Sequence, residues 1–251
     1  MAIEIPRIFH QIWVGPAPFP EEFACYQQTW LEHHPGWELR FWTDDNLFEG
    51  MRRPEAYERL RPPWIRGDIL RLEVVWRFGG VHIDTDFECL RSIEPLLDGV
   101  DFFTAWMEDD RVNHAIMGAV PEHAIVGRAL EEIQPSDHFI PWDKETTGPL
   151  FFNRVVATFP DATIFPKEYF FGKSAESREA AYAIHHEASA WKDTDVWKAE
   201  LAKAKRSLEK AQLKAESWRA RAKAAEAELA ARRNGSQLGR LARKLGLRRS
   251  G

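Results

Sequence analysis

The sequence predicts an α/β domain with a largely parallel sheet, followed by a long helical extension. Three observations carry this prediction. Apolar segments of strand-like and helix-like period alternate through the first 191 residues. Pro disappears after Thr194, and Ala, Glu, Lys and Arg dominate as far as Arg233. The charge divides at the same place. Residues 1–191 carry 17 Lys and Arg against 32 Asp and Glu, whereas residues 192–251 carry 17 against 7, so an acidic body of net −15 joins a basic segment of net +10.

The elements follow in order. "RIFHQIWVG" reads as a strand closed by Gly15. "EEFACYQQTWLEHH" has helical spacing at Phe23, Tyr26, Trp30 and Leu31. "WELRFWT" alternates, with Leu39 and Phe41 on one face of a strand. "PPWIRGDILRLEVVWRFGG" opens on prolines, sets Ile65, Ile69, Leu72, Val75 and Trp76 on one helical face, and stops at Gly79 and Gly80. "VHI" follows as a strand. "DFFTAW" and "HAIMGAV" are further strands, and "HAIVGRALEEI" and "GPLFFNRVVATF" are helices. In the extension, Trp197, Leu201, Ala204, Leu208, Ala211, Ala215, Trp218, Ala222, Ala225 and Leu229 alternate in four–three spacing, which is a heptad seam. Asn234 and Gly235 are read as its end. "QLGRLARKLGLRR" then sets Leu238, Leu241 and Leu245 among basic residues. The expected divisions are 1–192 for the α/β domain, 193–234 for a helical coiled coil and 235–251 for a basic amphipathic or disordered tail.

Bulk properties narrow the function. Of 251 residues, 44% are hydrophobic, enough for a sizeable core, and the 11 Trp belong in that core or at a pocket rim. An acidic body is poorly suited to binding nucleic acid by charge. Cys25 and Cys89 lie in unrelated segments without metal-ligand spacing and read as free thiols of a reducing compartment. The start "MAIEIPRIFHQIW" has no basic region leading into an apolar run, and no stretch of about 20 apolar residues occurs. The expectation is a cytoplasmic protein, soluble or peripheral on the inner face of the membrane.

The chemistry concentrates at "GGVHIDTDFE", where a short apolar strand runs into Asp84 and Asp86. Side chains two apart on a strand share a face, so the two carboxylates converge if the extended geometry persists. The carboxyl end of a strand is where open α/β sheets bind ligands. Adjacent carboxylates repel, and an oxygen-preferring divalent cation relieves the repulsion and neutralises a diphosphate. An isolated D-x-D, short and common, reads as a pair of solvated turn residues, so its neighbours must decide.

Five ordered blocks set the motif in context: "IPRIFHQIWVG", "RGDILRLEVVWRFGGVHIDTD", "NHAIMGA", "TTGP" and "HHEASAW". Together they resemble glycosyltransferase family 32, the DXD-motif sugar transferases that include yeast-type initiating mannosyltransferases and share a core with clostridial glucosylating toxins. The resemblance covers most of residues 5–191. It implies a GT-A-like fold, a Rossmann-like mixed sheet flanked by helices, and retention of anomeric configuration. It also implies Mn²⁺ or Mg²⁺ as cofactor and a UDP- or GDP-sugar as donor. By the same resemblance Trp13 stacks on the donor base, and Asp68 and Arg71 contact the nucleotide. His82 stands where Tyr is common and takes a ribose or base contact. Asp84 is the ribose-side, water-mediated member of the motif and Asp86 the direct metal ligand. His186, Ser189 and Trp191 close over metal and phosphates, with His185 the alternative to His186.

Plainer roles stand beside these. Asp68 and Arg71, three apart on a helix, also fit a surface ion pair, and Trp13 also fits the core. Asn113 and the Thr147–Gly148 turn fit either the sugar or acceptor pocket or ordinary loop chemistry. Glu88 reads as structural, and Asp109 and Asp110 as a solvated turn. The resulting expectation is a metal-dependent hexosyltransferase acting on a glycan, glycolipid or protein hydroxyl. The expected contacts are self-association through residues 194–233 and membrane contact through the basic tail. A phosphohydrolase on the same aspartates would want Thr or Val at position 88, which is Glu88. A non-catalytic coiled-coil scaffold is the third reading.

Overall fold

The computed structural model describes residues 4–59, 63–134, 146–172, 175–188 and 195–244. The chain divides into two compact units, Met1–Lys198 and Ala199–Gly251.

The first unit is built on a six-stranded sheet. In chain order its strands are β1 (Ile8–Ile12), β2 (Glu38–Trp42), β3 (Gly80–Ile83), β5 (Phe102–Glu108), β6 (Arg111–Ala119) and β7 (Thr163–Phe165). Across the sheet the order is β2-β1-β3-β6-β5-β7. A separate two-stranded ladder pairs β4 (Phe87–Cys89) antiparallel with β8 (Ala183–His185). Helices α1 (Glu21–His33), α2 (Pro54–Arg59), α3 (Pro63–Phe78), α4 (Ala124–Glu132), α5 (Pro149–Val156), α6 (Lys167–Phe170) and α7 (Ala175–Ala180) fill the connections.

The sheet is mixed rather than largely parallel. β1 runs parallel to β2 and β3, and β5 to β7, but β6 is antiparallel to both β3 and β5. The reversal comes from a hairpin: β5 and β6 are joined by Asp109 and Asp110 alone, a connection too short for a parallel crossover. Those two aspartates form the exposed turn that the sequence suggested, with Asp109 paired to Lys167 at 2.8 Å.

Strand alternation sorts the core into two layers. Phe102 and Met117 join Ile69, Leu72, Val75, Leu130 and Phe151 on the α3–α4–α5 side. Phe103 and Ile116, each one position along, join Phe9, Trp30, Val81, Ile83, Phe87 and Phe170 on the α1 side. At about 25 cal/mol per Å² of apolar area buried, aromatic-rich layers of this kind dominate the stabilisation.

Between α3 and β3 the chain turns through Gly79 (φ 63°) and Gly80 (φ 92°), both in the left-handed region. The Gly79 amide closes α3 on the Val75 carbonyl at 2.9 Å. A Cβ at Gly80 would lie 2.5 Å from the Ile8 carbonyl oxygen, so β3 reaches its place beside β1 only with glycine there.

The second unit is helical. α8 (Asp195–Lys244) is one continuous helix of 50 residues. It runs through Asn234 and Gly235, where the sequence suggested an end. A glycine inside a helix costs about 1 kcal/mol relative to alanine, and starting a new helix costs more than propagating an existing one. The segment expected as a separate tail therefore continues the helix to Lys244, and its remaining residues 245–251 lie outside the described residues. Leu208 and Trp218 of the heptad seam are exposed, as is Leu213. No helix among the described residues is long and apolar enough to cross a membrane.

Candidate active site

Asp84 and Asp86 come together through a turn, not along a strand. The Asp84 amide still bonds the Ala115 carbonyl at 2.8 Å, extending the β3–β6 ladder by one residue. The chain then folds back, with the Phe87 amide on the Asp84 carbonyl at 3.2 Å, and enters β4. β4 is paired with β8 in a register that sets Phe87 opposite His185. One atom from each of Asp84, Asp86 and His185 lies within 4.8 Å of the others. Two carboxylates and an imidazole form a donor set suited to a divalent cation.

Register decides between the two histidines. His185 ends β8 with its ring stacked on Phe87, centroids 4.4 Å apart, and its Nε2 is 3.2 Å from Asp86 Oδ1. His186 faces away. Its Nε2 lies 3.0 Å from Glu88 Oε2, and its ring stacks on Tyr26 at 4.5 Å. His185, rather than the expected His186, therefore stands with the two carboxylates, because β8 sets His185 in register with Phe87. Glu88 is structural, as the partner of His186. Asp86 also braces the following segment, its Oδ2 accepting the Ala188 amide at 2.8 Å. Ser189 and Trp191 lie outside the described residues.

Electrostatics favour an ionised Asp84. Burial works against its charge, but Arg71 Nη1 at 3.2 Å and the bond from His82 Nε2 at 3.0 Å hold its carboxyl well below the ordinary range. His82 Nε2 faces a carboxylate and so carries the proton. Burial lowers the His82 pKa to about 4, against the pull of Asp84, so the ring is neutral at pH 7. Burial lowers His185 as well, but Asp86 and Asp84 outweigh it and raise the pKa above its ordinary value.

Asp68 and Arg71 are not a surface pair. Arg71 Nη2 lies 3.2 Å from Asp68 Oδ1, and both side chains are mostly buried. The Thr147 hydroxyl donates to Asp68 Oδ2 at 3.0 Å. Burial pushes the Asp68 carboxyl up to about 7, opposed by Arg71 and Thr147. Arg71 thus links Asp68 to Asp84, tying the "RGD", "TTGP" and "DTD" blocks into one cluster.

Trp13 follows β1 and is half-buried, with its Nε1 donating to the Ala17 carbonyl at 2.7 Å. Phe19 and Phe23 meet the ring in edge-on contacts at 5.4 and 5.9 Å. Asn113 is engaged locally: its Oδ1 accepts the Ala115 amide at 3.0 Å and its Nδ2 donates to Met107 Sδ at 3.0 Å.

His114, which no motif reading places at the site, also joins the cluster. Pairing between β5 and β6 jumps from Thr104↔Met117 to Ala105↔Asn113, so residues 114–116 bulge, and the buried Thr104 hydroxyl lies 3.1 Å from both the Asn113 and Ile116 carbonyls. The bulge brings His114 to Arg71 and Thr147. Gln11 was also missed: it is fully buried, and neither amide atom has a hydrogen-bond partner among the described residues. A polar residue amid a strand of apolar neighbours was the signal available for both.

A mixed α/β sheet with an acidic centre at the carboxyl end of β3 is the arrangement of a GT-A-like fold. Residues 20–103 match a family described as a glycosyltransferase sugar-binding region containing a DXD motif. The chain is 31% identical over 161 residues to a mannosyl phosphorylinositol ceramide synthase of Saccharomyces cerevisiae, covering 59% of this chain and 41% of that protein. It is 27% identical over 215 residues to inositol phosphoceramide mannosyltransferase 3 of Schizosaccharomyces pombe, covering 76% and 57%. A lactosylceramide 4-alpha-galactosyltransferase of Pongo pygmaeus is 24% identical over 173 residues, covering 55% of this chain and 77% of that protein. The chain thus spans about half the length of the two fungal relatives. Among solved structures, the PaToxG glycosyltransferase superposes with a TM-score of 0.52 at 14% identity, over 62% of this chain and 70% of that one, a likeness of fold. The resemblance carried by the sequence blocks is met by both kinds of comparison.

Proposed function

We propose that this chain is a metal-dependent, retaining glycosyltransferase that moves a hexose from a nucleoside-diphosphate sugar to a hydroxyl of a glycolipid. The observation that carries the reading is the convergence of Asp84, Asp86 and His185 at the carboxyl end of β3. Their donor set fits a divalent cation such as Mn²⁺ or Mg²⁺, which when bound would neutralise charge on the departing diphosphate.

The chain's own residues supply position and field. Arg71 and His82 fix the ionised Asp84, and Asp86 fixes His185 and the Ala188 amide. Trp13, in T-shaped contact with Phe19 and Phe23, offers an aromatic platform for the donor base. Holding the donor and stabilising charge that develops in an oxocarbenium-like transition state is the larger part of such catalysis. The lipid acceptor is supported by the relatives, whose names all refer to ceramide lipids. The phosphohydrolase reading finds no support at position 88, where Glu88 is engaged with His186.

Self-association through the heptad seam and attachment of the basic helix to an anionic membrane belong to the same proposal. The exposed Leu208 and Trp218 support it. The same proposal has the enzyme work in the cytoplasm at a membrane surface. The deciding experiment is a thermal-shift screen of UDP- and GDP-sugars with and without Mn²⁺. Stabilisation by a nucleotide sugar that requires Mn²⁺ supports the reading, and no response to any pair overturns it.

A further inference from the structure

We infer that His114 is a positioning residue which, as the neutral Nε2–H tautomer, holds Arg71 against Asp84; the inference rests on the glycosyltransferase reading above.

The tautomer follows from the partners. His114 Nε2 lies 2.9 Å from the Thr147 carbonyl oxygen, which can only accept, so Nε2 carries the hydrogen. Asp68 Oδ1, 3.6 Å from the same nitrogen, favours that assignment too. Nδ1 is then a lone pair, and Arg71 Nη1 lies 3.3 Å from it, so the guanidinium donates to the ring. The Asn113 Oδ1 atom, 3.4 Å from Nδ1, is already an acceptor for the Ala115 amide and does not compete for that lone pair.

The guanidinium is fully directed by this arrangement. Nη1 serves Asp84 Oδ1 at 3.2 Å on one side and the His114 ring and carbonyl, both at 3.3 Å, on the other. Nη2 serves Asp68 at 3.2 Å, and Nε points to the Gly67 carbonyl at 3.5 Å. A hydrogen on Nδ1 would face an N–H of Arg71 and push it from Asp84. His114 is held in turn by Thr147, whose carbonyl accepts Nε2–H while its hydroxyl donates to Asp68. Burial lowers the His114 pKa well below its ordinary value, which keeps the ring neutral. The β6 bulge, pinned by Thr104, is what delivers the ring to this position.

The test separates an effect through Arg71 from a merely structural one. His114→Gln keeps a donor able to reach the Thr147 carbonyl but removes the acceptor for Arg71, whereas His114→Asn can return an oxygen to the Nδ1 position. With Mn²⁺ and either GDP-mannose or UDP-galactose as probe, calorimetry on the full chain should show binding weaker by about tenfold or more in His114→Gln. Affinity in His114→Asn should stay within about threefold of wild type. In an Arg71→Ala background, His114→Gln should add less than about twofold, because the two residues act as one unit. Additive losses, or unchanged binding by His114→Gln, overturn the inference while leaving the glycosyltransferase reading intact. Absence of nucleotide-sugar binding by the wild-type protein overturns both. Should His114→Gln not fold, the wild-type ring decides: nitrogen NMR is expected to report hydrogen on Nε2, and hydrogen on Nδ1 overturns the inference.

Discussion

Asp86 braces its neighbours and, in the proposed enzyme, holds the metal, and replacing it separates the two. In the protein without metal, Asp86→Asn weakens the bond to His185 at 3.2 Å and the acceptor for the Ala188 amide at 2.8 Å. A charged, largely buried hydrogen bond contributes about 1.5–3 kcal/mol and a neutral one about 1 kcal/mol. Against that loss stands relief of repulsion from Asp84. Two like charges near 4.8 Å, the spread of the cluster, repel by roughly 3–4 kcal/mol at an effective dielectric constant of 20. The terms nearly cancel, so Asp86→Asn should leave the stability of the metal-free protein within about 1–2 kcal/mol of wild type. The metal-linked increment behaves differently. At a cation concentration of 100 times Kd, wild type gains about 2.7 kcal/mol. For a domain near 190 residues that gain raises Tm by about 5–11 °C. The variant should gain none of it. Differential scanning fluorimetry with a Mn²⁺ titration, run on both proteins, reads the two quantities together. An Asp86→Asn protein whose Tm rises with Mn²⁺ as wild type does would refute Asp86 as a ligand. A metal-free variant that is unfolded would refute the near-cancellation.

Other outcomes follow from the same geometry. Trp13→Ala should weaken donor binding by about 1–3 kcal/mol, the scale of base–aromatic stacking, measured by calorimetry; unchanged affinity would move the base elsewhere. His10 is buried, with Nε2 on the Gly79 carbonyl at 2.8 Å and Nδ1 accepting from Trp42 at 3.1 Å, and burial lowers its pKa to about 4. Between about pH 6.5 and 4 the unfolded chain therefore binds a proton that the folded one refuses. Stability should fall with pH there by about 1.4 kcal/mol per unit from this residue alone, and urea titrations of His10→Gln should show a shallower slope. A chain ending at residue 194 should be a monomer that keeps donor binding and loses retention on anionic liposomes. Identical sedimentation and identical lipid binding for the two chains would remove α8 as an association or membrane element.

Much of the fold could be read from the sequence because its elements are locally coded. The apolar face of α3 and its Gly79–Gly80 stop needed only spacing and the left-handed tolerance of glycine. What escaped were features set by pairing over long distances. β4 and β8 are three residues each, too short for any periodic signal, and they exist because each satisfies the other. The choice between His185 and His186 depends wholly on that pairing. The β6 bulge was illegible for a similar reason. "NHAIMGAV" reads as a regular strand, and only a buried threonine on the neighbouring strand reveals the extra residues. The helix end expected at Asn234–Gly235 failed in the opposite sense, because local breaking signals were outweighed by the strong helix formers on both sides.

The β4–β8 ladder also governs the order in which this molecule can be completed. Phe87 and His185 are 98 positions apart, and closing a loop of that length costs roughly 4 kcal/mol of chain entropy beyond a constant. The residues that carry the acidic motif can be synthesised and can form β3 long before their third partner exists. A nascent or nicked chain lacking β8 therefore has both aspartates but neither the imidazole that balances them nor the segment that Asp86 braces. The three-residue centre is complete only when the last strand of the domain docks.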